Sequence, residues 1–221
     1  MKYYPVFLRV ADRRCVVVGG GEVAARKVES LLAAGAAVAV VSPALTAGLA
    51  RRAARGEIEH VDRPYRPGDL EGALLAYAAT DDEALHAGIA RDAAASGVLL
   101  NVVDRPQWCQ FIVPSIVSRG DLTVAVSTGG GSPALARRVR ADVERALGPE
   151  YERALEVLAR LRRHLQELPL STAERQRILT GLVASDLLDH LRAPDPAAVD
   201  RLLARHVGHD VSLASLGADL R

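Results

Sequence analysis

A glycine-rich turn lies close to the start of the chain. Gly19, Gly21 and Ala24 follow the apolar run 15–18 with the spacing G-x-G-x-x-A. A strand, a tight turn and a helix in this order present free backbone N–H groups and the positive end of the helix dipole to a pyrophosphate. We therefore expect a dinucleotide site here. The alternative is an ordinary strand-to-helix turn in which the glycines serve only tight packing.

Polar residues follow three later apolar runs, each at the point where a strand should end: Ser42, Thr80 and Asp104. Asp104 ends the run N-V-V-D, and an acid in that position can take up a proton or bind a metal ion. The alternative for Asp104 is a turn aspartate paired with Arg105. Thr80 is a candidate contact for the cofactor ribose or nicotinamide, whereas helix capping accounts for residues 81–82 without any function.

A second glycine-rich segment, T-G-G-G-S at 128–132, precedes another predicted helix. Such a helix start is a candidate anion site, and Arg137, Arg138 and Arg140 add positive charge after it. A substrate that carries carboxylates would suit this segment. The alternative is a mobile linker with an ordinary helix cap.

The second predicted strand lacks the acidic residue that normally binds a ribose 2′-hydroxyl. It ends in Ser42 and Pro43 instead, so Ser42 or the backbone would have to make that contact. Arg51 and Arg52 could accommodate a 2′-phosphate. The residues alone therefore leave NAD and NADP as open alternatives.

The positions of these residues require strands that alternate with helices over the first half of the chain. That alternation predicts an α/β fold with a Rossmann-type parallel sheet, whose ligands bind at the carboxyl ends of the strands. The predicted elements are strands at 4–10, 15–18, 37–41, 58–61, 74–79 and 98–103, with helices at 22–34, 46–55 and 83–96.

The pattern changes after about residue 110. Two strands, 111–117 and 122–127, are predicted to form a hairpin, and helices are predicted at 134–147, 151–168, 172–189 or shorter, and 196–207, with a frayed C-terminus. We thus expect a Rossmann domain at 1–112, a small α+β segment at 113–149, and a helical domain at 150–221.

Composition narrows the class of protein. The 221 residues are 49% hydrophobic and carry a net charge of +1, which argues against nucleic acid or an anionic membrane as the main partner. Cys15 and Cys109 give no disulfide framework, and the six histidines lack metal-ligand spacing. No run spans a bilayer, and we expect no signal peptide and a cytoplasmic protein.

Several motifs together resemble one family, the N-terminal module of siroheme synthase with the precorrin-2 dehydrogenases and sirohydrochlorin ferrochelatases. The resemblance covers residues 3–145 well and the helical tail weakly. The matching stretches are YPVFL at 4–8, VGGGEVAARK at 18–27, AATDD at 78–82, NVVD at 101–104, FIVPSIV at 111–117 and LTVAVSTGGGSPALARR at 122–138.

The resemblance implies an NAD-dependent oxidation of precorrin-2 to sirohydrochlorin by a homodimer, and in some members insertion of Fe²⁺ or Co²⁺ in the same cleft. Asp104 occupies the position of the family's key acid, with proton abstraction, chelation or both as its roles. The resemblance places Gly21, Glu22 and Val23 at the cofactor turn and Ser42, Pro43 and Ala44 beside the adenosine ribose. With Gly19 and Thr80 from the turn and the strand end, these are the expected cofactor contacts. The resemblance makes 113–149 a dimerisation and tetrapyrrole-site segment and places Thr128 near the substrate. With the candidate anion site after it, the expected substrate contacts are Thr128, Gly129, Gly130, Ser132 and Arg137.

One departure from the family and two rival functions remain. Thr128 stands where many relatives carry a serine, which keeps the hydroxyl but removes any serine-specific regulation. We expect no methyltransferase domain in this chain. The main rival is a non-catalytic NAD(H)- or tetrapyrrole-binding regulatory module. A regulatory unit of an ion channel is disfavoured because the acidic ribose ligand and a transmembrane partner are missing.

Overall fold

The computed structural model of the chain describes residues 2–219. Two compact units make up the chain, residues 1–113 and residues 114–221. The boundary lies one residue after the end that we predicted for the Rossmann domain, and a further division at 149/150 stays a prediction.

The first unit is a parallel sheet with helices on both faces. Its strands lie in the order β3-β2-β1-β4-β5, and every neighbouring pair is parallel. The fold class is therefore the Rossmann-type α/β fold that was predicted. The elements are β1 (Arg14–Val18), α1 (Glu22–Ala33), β2 (Ala37–Val41), α2 (Ala47–Ala54), β3 (Glu59–Val61), β4 (Leu75–Ala78), α3 (Glu83–Ser96) and β5 (Leu99–Val102).

The two faces of this sheet bury two separate cores because alternate residues of each strand point to opposite sides. Val17 of β1 packs with Val28 of α1 and Leu49 of α2, whereas Val16 packs with Ile89 of α3. Strands that are buried on both faces read as continuous apolar runs, which is why the sequence predicted them closely.

The predicted edge strand at 4–10 is wrong. Residues 4–10 form neither a strand nor a helix, and Tyr4 and Phe7 are 81% and 77% exposed. Pro5 lacks an N–H to donate, and a segment at residues 109–111 already lies along the outer edge of β5. The apolar composition of 4–10 thus indicated a strand, but the segment pairs with no strand of the sheet.

The second unit begins with an antiparallel hairpin and continues in helices. The hairpin starts at Ser115, four residues later than predicted. The predicted long helix at 172–189 ends at Val183, where Ser185 turns its hydroxyl back to the carbonyl of Leu182. The elements are β6 (Ser115–Arg119), β7 (Leu122–Val126), α4 (Pro133–Ala146), α5 (Glu150–Glu167), α6 (Thr172–Val183), α7 (Leu187–Arg192), α8 (Pro196–His206) and α9 (Leu213–Leu216).

The helices α5 to α9 enclose a leucine-rich core of their own. Leu161, Leu165, Leu182 and Leu203 are fully buried in it. Over residues 2–219, no helix is long and apolar enough to cross a membrane.

Candidate dinucleotide and catalytic site

Gly19 and Gly20 are required by close packing of the turn after β1. A Cβ on Gly19 would lie 2.2 Å from the carbonyl oxygen of Ala79, and a Cβ on Gly20 would lie 1.8 Å from that of Ala44. Gly19 also adopts a φ of +118°, which favours glycine. For these two residues the packing interpretation holds. The turn is consequently locked between the ends of β2 and β4.

Gly21 is different, because nothing in residues 2–219 lies within 4 Å of the Cβ it would carry. Gly21 is the N-cap of α1 and provides no side-chain hydrogen bond to the helix. By contrast, Thr46 caps α2 and Asp82 caps α3 through their side chains. The first backbone N–H groups of α1, beginning at Glu22 and Val23, are therefore available to an anion. This arrangement fits the pyrophosphate of a dinucleotide.

The segment after β2 is folded on itself beside the glycine turn. The Ser42 hydroxyl donates to the carbonyl of Ala44 over 2.7 Å, and His60 Nε2 donates to the Ser42 carbonyl over 2.9 Å. Pro43 lies between the two bonded residues. The bond to Ala44 uses the one hydroxyl proton of Ser42, and the Ala44 N–H donates to the same oxygen over 3.4 Å. A ribose contact here would therefore fall to the backbone or to the remaining hydroxyl lone pair.

Thr80 lies at the end of β4, next to Gly19. Its hydroxyl accepts from the N–H of Asp82 over 3.2 Å, and its carbonyl is 3.1 Å from His86 Nε2. Asp82 in turn caps α3 by accepting from the Ala84 N–H. Capping thus accounts for Asp82, as the sequence indicated. The Thr80 side chain is half-buried and remains a candidate cofactor contact.

Asp104 follows β5 at the same carboxyl edge of the sheet, in a turn closed by the Arg105 N–H and the Val102 carbonyl over 3.2 Å. Its φ is +58°, a region that non-glycine residues rarely adopt. Such strain is concentrated at functional sites. The side chain is exposed, and the Arg105 side chain pairs with Glu83. Arg105 thus forms its ion pair with Glu83 and not with Asp104, so the turn-aspartate alternative lacks its expected partner.

Sequence reasoning did not assign a role to Lys27 of α1. Its Nζ lies 5.4 Å from the centroid of the Tyr77 ring, and Tyr77 pairs with Asn101 of β5. Burial lowers the pKa of Lys27, neighbouring Arg26 lowers it further, and the Asp104 carboxylate acts in the opposite direction. A cation thus stands near the candidate acid. A lysine within the apolar period of α1 was the available signal.

The second glycine-rich segment belongs to the second unit, where it forms a closed turn. The Thr128 hydroxyl accepts from the Ser132 N–H over 3.1 Å and donates to the Ser132 carbonyl over 3.0 Å. Ser132 caps α4 by accepting from the Leu135 N–H, while Gly129 and Gly130 have positive φ values. This is an ordered turn rather than a mobile linker.

Positive charge on α4 is partly neutralised. Arg138 pairs with Asp142, and Arg140 pairs with Glu144. Arg137 lies in α4 about one turn after the Ser132 cap, and its side chain is exposed. Among residues 2–219, no three His, Cys, Asp or Glu side chains converge to hold a metal ion.

This parallel sheet and its uncapped glycine turn define a Rossmann-type dinucleotide-binding protein. Residues 6–115 match a family model described as "Putative NAD(P)-binding", which confirms the predicted class of cofactor. Residues 119–146 match the model "Sirohaem biosynthesis protein central". The chain belongs to the family of the siroheme synthase N-terminal module.

Individual relatives agree with this membership. A siroheme synthase of Methylobacillus flagellatus is 45% identical over 80% of this chain and 38% of that protein. One of Pseudomonas aeruginosa is 38% identical over 98% of this chain and 47% of that protein. The chain spans less than half the length of these relatives. A solved structure named SirC, precorrin-2 dehydrogenase, is 24% identical with a TM-score of 0.76, and it covers 92% of this chain and 98% of its own.

Proposed function

We propose that this chain oxidises precorrin-2 to sirohydrochlorin with NAD⁺. The observation that carries the proposal is Asp104, an acid in a strained backbone conformation at the same sheet edge as an uncapped glycine turn. Family membership supports the substrate class, since the matching relatives are siroheme synthases.

The first unit binds and orients the cofactor in this proposal. Backbone N–H groups of Glu22 and Val23 hold the pyrophosphate, and the open side of Gly21 lets it approach. Bound NAD⁺ supplies the hydride acceptor. The Asp104 carboxylate takes up the accompanying proton, so that precorrin-2 and NAD⁺ give sirohydrochlorin, NADH and one proton.

The proposed preference for NAD over NADP rests on Arg52, in the last turn of α2, and on the residues that follow this helix. The Arg52 guanidinium lies 2.7 Å from the Glu57 carboxylate, and Arg55 pairs with the same carboxylate. These two arginines lower the pKa of Glu57. Because the Glu57 carboxylate already neutralises Arg52, we propose that Arg52 does not attract a 2′-phosphate.

For the second unit, we propose that the turn 128–132 and Arg137 bind carboxylates of the tetrapyrrole. With the Thr128 hydroxyl engaged by Ser132, the donors left at this helix start are backbone N–H groups. The role of Thr128 is then to hold the turn. Substrate anions would meet the helix start and the exposed guanidinium.

We also propose a homodimer that forms through the hairpin and α4. Ile116, Leu135 and Val139 are 46%, 53% and 37% exposed, and Arg140 Nε donates to the Ile116 carbonyl over 2.9 Å. Apolar side chains exposed on adjoining elements are typical of an interface. Light scattering of the purified protein measures its mass, and a monomer at micromolar concentration would contradict the dimer.

We propose a cytoplasmic location, which fits an NAD-dependent biosynthetic step.

The proposed activity is tested by anaerobic incubation of purified protein with precorrin-2 and NAD⁺. We expect sirohydrochlorin and NADH in equal amounts from the wild type and neither from Asp104→Ala. Dinucleotide binding without turnover would favour the regulatory module instead.

Insertion of Fe²⁺ or Co²⁺ into sirohydrochlorin is a second candidate activity, since a base at Asp104 serves both reactions. The absorption spectrum of the metallated product measures this activity directly.

A further inference from the structure

The outer edge of β5 is covered by the segment 109–111, which bonds to it largely through side chains. The Gln110 N–H donates to the Leu100 carbonyl, and the Gln110 side-chain oxygen accepts from the Leu100 N–H, both over 2.9 Å. The Asn101 amide donates to the Phe111 carbonyl over 2.9 Å. The loop between β5 and this segment, residues 103–108, carries Asp104.

The Cys109 thiol closes the base of that loop. Its sulfur accepts from the Val102 N–H over 3.3 Å and lies 3.2 Å from the Val102 carbonyl and 3.4 Å from the Arg105 carbonyl. A thiol has one proton, so it donates to one of these carbonyls at a time. Val102 and Arg105 are the first and last residues of the turn that contains Asp104.

The chemistry of the thiol suits this position. Val102 is 1% exposed, so its N–H needs a partner inside the protein, and the sulfur provides one. Burial raises the pKa of Cys109, with the Val102 backbone acting in the opposite direction. The group therefore stays protonated at neutral pH and keeps both its donor and its acceptor function.

We propose that Cys109 is a positioning residue for Asp104. Its thiol ties both ends of the turn and so maintains the positive φ that aims the carboxylate. This inference rests on the proposed function, because it assigns Asp104 the proton transfer that Cys109 supports. The proposal assigns the thiol no contact with substrate or cofactor, only with the backbone of the turn.

Loss of the thiol should displace Asp104 without affecting the glycine turn, which lies on β1 and α1. In Cys109→Ala the Val102 N–H loses its acceptor, and in Cys109→Ser the shorter C–O bond lengthens every one of these contacts. A misplaced catalytic group typically lowers turnover by up to about a hundredfold. We expect kcat to fall about tenfold to a hundredfold in Cys109→Ala and by less in Cys109→Ser, with KM for NAD⁺ unchanged.

The matched control is Cys15→Ala, which removes the other thiol of the chain. Cys15 is fully buried in β1 and has no bond to the Asp104 turn. Cys15→Ala should lower the melting temperature yet leave kcat near the wild-type value. A general loss of stability would therefore affect both alanine variants alike, whereas a loss of positioning affects only the Cys109 variants.

Amide hydrogen exchange gives a readout that does not need turnover. We expect faster exchange at Val102 and Arg105 in both Cys109 variants and unchanged exchange there in Cys15→Ala. Wild-type exchange at these amides, or wild-type kcat in both Cys109 variants, would overturn the positioning role. If the wild type itself fails to oxidise precorrin-2, the proposed function falls, while the exchange rates still decide whether Cys109 fixes the turn.

Discussion

Gly20 and Ala44 approach each other so closely that a Cβ on Gly20 would stand 1.8 Å from the Ala44 carbonyl oxygen. No rearrangement of a flexible side chain relieves that clash, since the obstructing atom belongs to the backbone. One position further along, the space next to Gly21 is open. The adjacent glycines of this turn thus have separate tasks, one in folding and one in ligand binding.

Gly21→Ala should therefore weaken NAD⁺ binding while the fold is retained. Gly21 has a φ of –80°, which alanine adopts without strain, but the added methyl group occupies the path of the pyrophosphate. We expect at least a tenfold rise in Kd, about 1.4 kcal/mol, by titration calorimetry, with the melting temperature nearly unchanged.

The comparison variant for this prediction is Gly20→Ala. Its clash with Ala44 should lower the melting temperature strongly, because overpacking typically costs about 1–3 kcal/mol. Equal NAD⁺ affinity in Gly21→Ala and the wild type would exclude this turn as the pyrophosphate site.

Asp104→Asn should separate catalysis from stability. Asparagine tolerates a positive φ at least as well as aspartate, so the strained turn remains intact and the melting temperature should stay at or above the wild-type value. Removal of the proton acceptor should lower kcat by about 10²–10⁴-fold. The readout is anaerobic NADH formation, and wild-type turnover would eliminate Asp104 from the reaction.

Lys27 should make stability depend on pH in the alkaline range. Its pKa is lowered from 10.5 by burial, then by Arg26, so the unfolded chain binds more protons than the folded chain in the window below 10.5. The unfolding free energy therefore rises with pH there. The gain should be at most about 1 kcal/mol, since Lys27 is only half-buried.

The measurement is the melting temperature of the wild type and of Lys27→Met across that window. Burial raises the pKa of Tyr77 to about 12, so its contribution to stability is lost as the pH rises above about 10. The two proteins are therefore compared below that pH. Arg26→Gln removes the second cause of the lowered Lys27 pKa, so it should weaken the pH dependence without abolishing it. A difference that does not change with pH would contradict the buried position of the ammonium group.

Thr128→Ser and Thr128→Val should behave differently. Serine keeps the hydroxyl that bonds to both backbone groups of Ser132, so its KM for the tetrapyrrole should match the wild type. Valine loses both bonds, which costs about 1–2 kcal/mol of turn stability, and KM should rise severalfold. Steady-state kinetics at saturating NAD⁺ tests this, and identical KM values would show that the turn does not bind substrate.

The sequence predicted best those elements whose patterns have one physical explanation. Buried parallel strands such as β1 and β2 read as unbroken apolar runs, and the glycine turn marks the start of α1. The run at 4–10 is equally apolar, yet strand formation needs a partner edge, which is a tertiary property. The later start of β6 also reflects tertiary pairing. Phe111 was predicted to begin that strand, but residues 109–111 bond to β5 instead.

The site was predictable where a residue acts through its type and position along the chain. Asp104 and Gly21 were of that kind. Lys27 and Cys109 were not, because their importance comes from contacts with residues distant in sequence, the Tyr77 ring and the Val102 backbone. The packing task of Gly20 was likewise missed, since the consensus spacing singles out its two neighbours.

The cover on β5 also bears on how copies of this protein can associate. A sheet normally offers unpaired backbone groups at each border, where a strand from another molecule can add. At Leu100 and Val102 those groups are already occupied by Gln110 and Cys109. A strand from another molecule could pair with β5 only after residues 109–111 had been displaced. The segment therefore protects this edge of the sheet against aggregation by strand addition.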